Sequence, residues 1–263
     1  MSTIIDGKAL AAALTNSLHQ GSLQKSLGVI QIGNDPASTI YIHHKEKQCQ
    51  KLAIPFFKLL ISNWHDINDV CQQIVAFVSR PEITGIILQI PLPKGLPTKE
   101  LLALIPLEKD VDGLLQGSPF IPATARAVMH ALKSTETVLT GKHAVIIGYS
   151  ALVGKPLVDL LLAENCTVTV THIHTQDLPT LTRQADILIS AVGKINLVSG
   201  DMVQPGVIAI DVGINRIKDG EKEIISGDLN YEEVSKKASF ITPVPGGVGP
   251  LTVAFLMANV LGQ

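Results

Sequence analysis

Tyr41 and Lys45 lie four residues apart in ASTIYIHHKEKQCQ, which reads as a helix, so the two side chains share a face. That spacing has two readings. The commoner one is a solvent-facing lysine whose stem crosses a tyrosine ring. The other is a proton shuttle, in which burial lowers the lysine pKa and the aromatic hydroxyl steadies it. Gln89 sits inside the apolar run IILQIPLP. A primary amide in a buried strand must find a partner or cost stability, so Gln89 is expected to reach a ligand or a lysine at a sheet edge. Asp110 and Asp112, in EKDVDG, form either an acidic turn or a carboxylate that accepts N–H donors from a heterocycle. The segment TPVPGGVGPLT (242–252) packs three prolines and three glycines into eleven residues, a rigid, side-chain-poor surface suited to a flat ring.

A second kind of chemistry belongs to VIIGYSALVGKPL (145–157). Gly148 and Gly154 do not have G-x-G-x-x-G spacing. Their weight comes from context, an apolar strand before and an amphipathic helix after. Gly148 lets the chain leave the strand sharply, Gly154 permits close backbone approach, and the helix start presents N–H groups to a pyrophosphate. A purely structural turn is the other reading. The following strand, TVTVTH (167–172), ends where an adenosine ribose would lie. An acidic residue there favours NAD and a basic one NADP. The chain has HIHTQD, where His172 and His174 bring weak positive character without arginine's fork.

Alternating strands and helices must position these groups. A helix is expected over 8–24, a strand over 27–33, and a helix through Tyr41, Lys45 and Cys49 capped by Ser38 or a neighbour. Strand 56–62 follows, then a helix over 65–79 with Ile67, Val70, Cys71, Ile74, Val75 and Val78 on one face, then strand 84–93. A linking helix begins near 124. Strands at 143–148, 167–172, 185–193, 206–213 and 239–244 come next, with a helix at 154–165, a short hairpin arm at 221–228 and a closing helix at 251–262. The strands are nearly all apolar, which predicts parallel sheets covered on both faces. Two α/β domains are expected: residues 1–122, rejoined by the last helix (251–263), and a Rossmann-like dinucleotide-binding domain over 123–250.

The 263 residues are 46% apolar and 17% charged, as expected of a folded globular chain with a sizeable core. The net charge of −2, without a dense basic stripe, gives no nucleic-acid footprint. Gly and Pro break the apolar runs, so neither a transmembrane helix nor a secretory signal is expected, and a cytoplasmic setting fits. Three cysteines without C-x-x-C spacing read as reduced thiols, and eight histidines without metal spacing predict no metal.

Seven segments match one pattern in order. They are G-x-x-P-A-S-x-x-Y-x-x-x-K (33–45), G-I-I-L-Q-I-P-L-P (85–93), K-D-V-D-G (109–113), G-x-S-x-x-V-G-x-P (148–156), D-V-G-I-N (211–215), G-D (227–228) and T-P-V-P-G-G-V-G-P-L-T (242–252). Together they resemble the bifunctional methylenetetrahydrofolate dehydrogenase/methenyltetrahydrofolate cyclohydrolase family. The resemblance implies two α/β domains with a cleft between them, usually in a homodimer built through the cofactor domain. It implies oxidation of 5,10-methylenetetrahydrofolate with NADP or NAD, then hydrolysis of the methenyl cation to 10-formyltetrahydrofolate. Carried over, Lys45 is the catalytic lysine, Tyr41 orders the site beside the folate and Gln89 tunes the lysine. Asp112 grips the pterin, and Pro245, Gly246 and Gly247 line the folate and nicotinamide region. Gly148, Ser150, Gly154 and Ile214 cradle the dinucleotide.

The chain departs from the family pattern in two places. Tyr149 stands where arginine is usual and Ile173 where serine is common. In NADP-dependent members these positions help hold the 2′-phosphate, so NADP is the family default and NAD is possible here. After Asp112-Gly113 the usual F-H-P-x-N-x-G is absent, the loop runs shorter, and Ala123, Ala125 and Ala127 replace Cys, Pro and Gly. A divergent member with NAD preference or only one half-reaction, or a non-catalytic folate- or nucleotide-binding paralogue, is the alternative reading.

Overall fold

The computed structural model describes residues 2–21, 24–219 and 222–263. A two-residue strand, β1 (Thr3–Ile4), precedes helix α1 (Gly7–Ser17). α1 stops well before residue 24, where Ser17 Oγ donates to the Leu14 carbonyl at 2.7 Å and the apolar period gives way to HQGS. Positions 22–23 of the expected helix lie outside the described residues. Strand β2 (Leu27–Ile32) is buried along its whole length. Helix α2 (Pro36–Lys51) is capped by Asp35, whose carboxylate accepts from the Ser38 N–H at 2.7 Å. Asp35 is therefore the cap and Ser38 the donor, and Pro36 at the first helical position needs no N–H partner.

Strand β3 (Phe56–Ile61) and helix α3 (Ile67–Val78) follow. Asp66 caps α3 by accepting from the Asn68 N–H at 2.9 Å. The buried face of α3 is Val70, Ile74, Phe77 and Val78, while Ile67 and Val75 are exposed. Phe77 replaces them because its ring packs into the core beside Ile83 and Gly28. Each such buried side chain contributes roughly 1.5–3 kcal/mol. Strand β4 (Gly85–Leu88) and the one-turn helix α4 (Thr98–Leu102) come next, and helix α5 (Ala123–Lys133) leads out of this half. α5 starts at Ala123; Ala123, Ala125 and Ala127 are buried in its first turns, where alanine favours helix over the proline and glycine of the family pattern.

Strand β5 (His143–Ile147), helix α6 (Gly154–Ala163), strand β6 (Thr167–Thr171), helix α7 (Leu178–Thr182) and strand β7 (Ile187–Ser190) come next. Strand β8 (Ile208–Asp211) leads into β9 (Asn215–Asp219) and β10 (Lys222–Ser226). β9 and β10 pair antiparallel as the expected arm, although position 221 lies outside the described residues. Helix α8 (Tyr231–Val234), strand β11 (Phe240–Ile241) and helix α9 (Val248–Leu261) close the fold. α9 begins at Val248, so Gly249 and Pro250 belong to its first turn, and the irregular corner is only 242–247.

The chain forms two compact units. One comprises Leu14–Ala123 and Val253–Gln263. Its sheet is three-stranded, ordered β3-β2-β4 and wholly parallel. The other comprises Met1–Ala13 and Thr124–Thr252, with a six-stranded parallel sheet ordered β1-β11-β8-β7-β5-β6. Residues 1–13 thus join the second unit, not the domain over 1–122 expected from sequence. The physical reason is β1, whose Thr3 and Ile4 pair with Phe240 and Ile241. Among the described residues no helix is long and apolar enough to cross a membrane.

Candidate functional site

In the three-stranded unit, Lys45 lies midway along α2 and Gln89 directly follows β4. The Gln89 N–H donates to the Ile30 carbonyl at 2.8 Å, which extends the β2–β4 ladder by one residue and fixes the backbone there. Lys45 Nζ donates to Gln89 Oε1 at 2.9 Å, and Gln89 Nε2 donates to the Ile90 carbonyl at 2.8 Å. The amide is thereby locked with its oxygen toward the lysine. Burial lowers the Lys45 pKa, partly opposed by the negative charge of Asp112. Burial likewise raises the Asp112 pKa, against the pull of Lys45 and with a push from Asp110. Desolvation disfavours the charged form of both groups, so a neutral amine is accessible well below an ordinary lysine's range. Tyr41 stands one turn before Lys45, half-buried.

The two aspartates of EKDVDG separate. Asp110 is buried, pairs as an isolated bridge with Ile86, and accepts from the Leu115 N–H at 2.8 Å. It shapes the turn, leaving Asp112 as the carboxylate coupled to Lys45. Gly113 has φ +72°, and a Cβ there would meet the Phe120 carbonyl at 2.5 Å, so the shortened loop folds back tightly on it. Both ends of that loop hang on one buried amide. Asn259 Nδ2, on α9, donates to the Val111 carbonyl at 2.9 Å and the Ile121 carbonyl at 3.0 Å. The sequence reading missed Asn259; its signal is a lone amide inside LTVAFLMANVLG.

In the six-stranded unit, Gly148 follows β5 with φ +103°, and a Cβ there would meet the Ala191 carbonyl at 2.7 Å. A Cβ on Gly154 would lie 2.0 Å from the Gly148 carbonyl, so both glycines are required by close backbone approach. Ser150 closes the turn: its Oγ accepts from the Val153 N–H at 3.2 Å and its carbonyl from the Lys155 N–H at 3.0 Å. The register pairs Ile147 with Thr171, so Tyr149 and Ile173 each follow two residues beyond the end of adjacent strands. Tyr149 is 56% exposed and Ile173 93%. The His172 and His174 rings meet edge-on at 6.1 Å. Ile214, between β8 and β9, is exposed.

At the corner before α9, Gly246 has φ +113° and the closest approach of a Cβ there would be Lys8 Cε at 3.5 Å. A Cβ on Gly7 would lie 1.7 Å from the Gly247 carbonyl. The start of α1 therefore rests on the Pro245–Gly247 backbone, a contact the sequence reading did not foresee.

Strand order reverses at β5, with β6 on one side and β7 on the other, and a glycine turn leads from β5 into a helix. Such a unit is a Rossmann-type nucleotide-binding fold, whose ligands sit at that switch point. The comparisons identify the family. The model of the tetrahydrofolate dehydrogenase/cyclohydrolase catalytic domain matches residues 5–112, and that of the corresponding NAD(P)-binding domain matches residues 122–263. The chain belongs to the tetrahydrofolate dehydrogenase/cyclohydrolase family. A curated relative, the bifunctional protein FolD of Campylobacter jejuni, is 42% identical over 98% of this chain and 97% of its own length. The crystal structure of a bifunctional FolD methylenetetrahydrofolate dehydrogenase/cyclohydrolase from Campylobacter jejuni matches with a TM-score of 0.93 and 40% identity, covering 100% of this chain and 98% of that one. The Trypanosoma brucei enzyme, solved with NADP and an inhibitor, matches with a TM-score of 0.92 and 30% identity, over 99% of this chain and 96% of its own.

Proposed function

We propose that this chain oxidises 5,10-methylenetetrahydrofolate to the 5,10-methenyl cation with NADP, and hydrolyses that cation to 10-formyltetrahydrofolate. The observation that carries the reading is the 2.9 Å contact from Lys45 to an oriented Gln89, in surroundings that favour the neutral amine. A permanently charged lysine would repel the methenyl cation. A neutral one accepts the proton of the attacking water while Gln89 holds Nζ in place and Tyr41 steadies the same face. Asp112 accepts N–H donors of the pterin ring, a charge-assisted contact worth about 1.5–3 kcal/mol. Pro245, Gly246 and Gly247 offer backbone without bulk to a flat ring.

The glycine turn fits a dinucleotide, because Gly148 and Gly154 let the chain pass tightly from β5 into α6, whose start presents backbone N–H groups to a pyrophosphate. Gly148, Ser150 and Gly154 would hold the pyrophosphate, with Ile214 beside it. When bound, NADP supplies the hydride acceptor. Tyr149 and Ile173 offer the 2′-phosphate one neutral hydroxyl and no charge, so NADP is only weakly preferred over NAD. A homodimer formed through this unit accounts for exposed Ile224 and Ile225 on the β9–β10 arm. A sedimentation mass equal to one chain would remove that assignment.

Lys45→Arg tests the catalytic reading, because guanidinium does not deprotonate in this range. Methenyl hydrolysis should fall by about 10²–10⁴-fold at every pH. In the unsubstituted protein it should decline as pH falls through the depressed Lys45 pKa, since protonation removes the base. Full hydrolysis by Lys45→Arg would overturn the role of the amine.

A further inference from the structure

We propose that Asp228 is a positioning residue for the dinucleotide: its carboxylate, seated on Asp211, sets the loop Ala191–Lys194 that walls the switch point of the sheet. The inference rests on the dinucleotide reading above and assigns chemistry to a group outside the lysine centre and the glycine turn.

The sheet register aligns Thr171, Ile147, Ser190 and Asp211 in one row across β6, β5, β7 and β8. Gly148 leaves this row on one strand and Ala191 on the next, and the Ala191 carbonyl and the Val192 side chain would be the first atoms a Cβ on Gly148 meets, at 2.7 and 2.9 Å. The loop after β7 is thus the immediate neighbour of the turn proposed to hold the pyrophosphate. Val192 is 41% exposed there.

That loop owes its shape to one side chain. Asp228 is fully buried, and its Oδ2 accepts from Ser190 Oγ at 2.9 Å, the Val192 N–H at 2.9 Å and the Gly193 N–H at 3.3 Å. Its Oδ1 accepts from the Lys194 N–H at 2.8 Å and from Asn215 Nδ2 at 3.2 Å. Three successive backbone donors therefore converge on one carboxylate, which turns the Val192–Lys194 N–H groups inward.

Asp228 is itself held by a second buried carboxylate. Asp211 Oδ1 accepts from the Asp228 N–H at 3.0 Å and the Gly213 N–H at 2.9 Å, and Oδ2 from the Leu229 N–H at 2.9 Å. The seating is reciprocal. A Cβ on Gly213 would lie 2.1 Å from Asp228 Oδ1, and one on Gly227 2.0 Å from Asp211 Oδ2. Each aspartate thus fills the space left by a glycine beside the other. The Asp211 N–H in turn donates to Thr242 Oγ1 at 2.7 Å, immediately before the Pro-Gly corner. Two carboxylates connect the loop beside Gly148 to the corner that lines the proposed ring site, all within one unit.

An amide of the same size cannot replace Asp228. The substitution Asp228→Asn would turn an NH₂ group toward one set of N–H donors, and the loop would have to move away. The test compares the unsubstituted protein with Asp228→Asn and with Ser190→Ala, which removes one donor and leaves the carboxylate. NADP dissociation constants are measured by calorimetry, and methenyl hydrolysis, which consumes no dinucleotide, on the same samples. Asp228→Asn should weaken NADP binding by at least about tenfold, as expected for a lost charge-assisted contact set. The dinucleotide KM should rise more than kcat falls, with hydrolysis retained within about twofold. An unchanged dissociation constant, or hydrolysis falling in parallel with binding, would overturn the proposal. If Asp228→Asn does not fold, Ser190→Ala decides: binding about threefold weaker or more supports it, and unchanged binding overturns it. Unsubstituted protein that binds no NADP would overturn the dinucleotide reading itself, a result distinct from a variant that binds as well as its parent.

Discussion

A hydroxyl cannot do at Tyr149 what a guanidinium does, and the difference falls on one phosphate. The pyrophosphate is proposed to rest on backbone at Gly148 and Gly154, where side-chain identity at position 149 matters little. The 2′-phosphate, by contrast, is a dianion near neutral pH and needs a charged fork. Tyr149 and Ile173 occupy equivalent places beyond the paired ends of β5 and β6, and both are open to solvent. Tyr149→Arg should therefore raise the ratio of kcat/KM for NADP over NAD by roughly tenfold, the effect of one charge-assisted contact of about 1.4 kcal/mol. The measurement is both constants for both proteins at one ionic strength. Strong NADP discrimination in the parent that the substitution leaves alone would show that another group holds the phosphate. At this scale the sequence was informative wherever a residue violated its surroundings. Gln89, an amide in an apolar run, had to find a partner, and Lys45 is that partner. Asp211, a lone carboxylate in the apolar run GVIAIDVG, and Asp228 entered only as parts of the matched segments D-V-G-I-N and G-D, because their seating on each other, 17 residues apart in the chain, leaves no local trace.

At the scale of elements, the sheet ends are joined by buried charge, and that has a cost in pH. Burial pushes the Asp211 pKa up to about 6; N–H donors from Leu229 and Asp228 pull it down, the Asp228 charge raises it, and Gly213 lowers it. The folded chain then holds this proton in a window, from the ordinary carboxylate value up to about 6, where the unfolded chain has released it. Stability from this group is greatest below that window and is lost as pH rises through it, the reverse of a salt-bridged aspartate. The loss approaches about 3 kcal/mol, at roughly 1.4 kcal/mol for each pH unit of that window. Asp211→Asn should be less stable overall, having lost an acceptor, yet its denaturant midpoint should change less between pH 4 and 7 than the parent's. Parallel midpoint curves for the two proteins would show that Asp211 titrates normally. The alternation of apolar strands with helices was legible because the central strands β2, β4, β5, β7 and β8 are buried along most of their length. The ends were less so. Asp35 rather than Ser38 caps α2, and α9 starts at Val248, since backbone hydrogen bonds at helix termini leave little trace in residue type.

For the whole molecule, the division into units does not follow the division of the chain. The chain passes between units within α1, at the start of α5 and within α9. A two-residue strand carries too short a pattern to be seen, so the sequence placed residues 1–13 with their neighbours in the chain and not with β11. Removing residues 2–5 should expose the β11 edge, whose backbone donors and acceptors β1 now satisfies. The truncated protein should unfold at lower denaturant and self-associate in light scattering; unchanged stability would show that β1 is dispensable. The β1–β11 pairing also bears on synthesis at the ribosome. Thr3 and its partner Phe240 lie more than two hundred residues apart in the chain, so Phe240 is made long after Thr3. The three-stranded sheet draws all its strands from residues 27–88 and can assemble while translation continues. The six-stranded sheet must wait with β1 unpaired, so a nascent-chain chaperone that shields the β1 segment would act on this unit and not on the other.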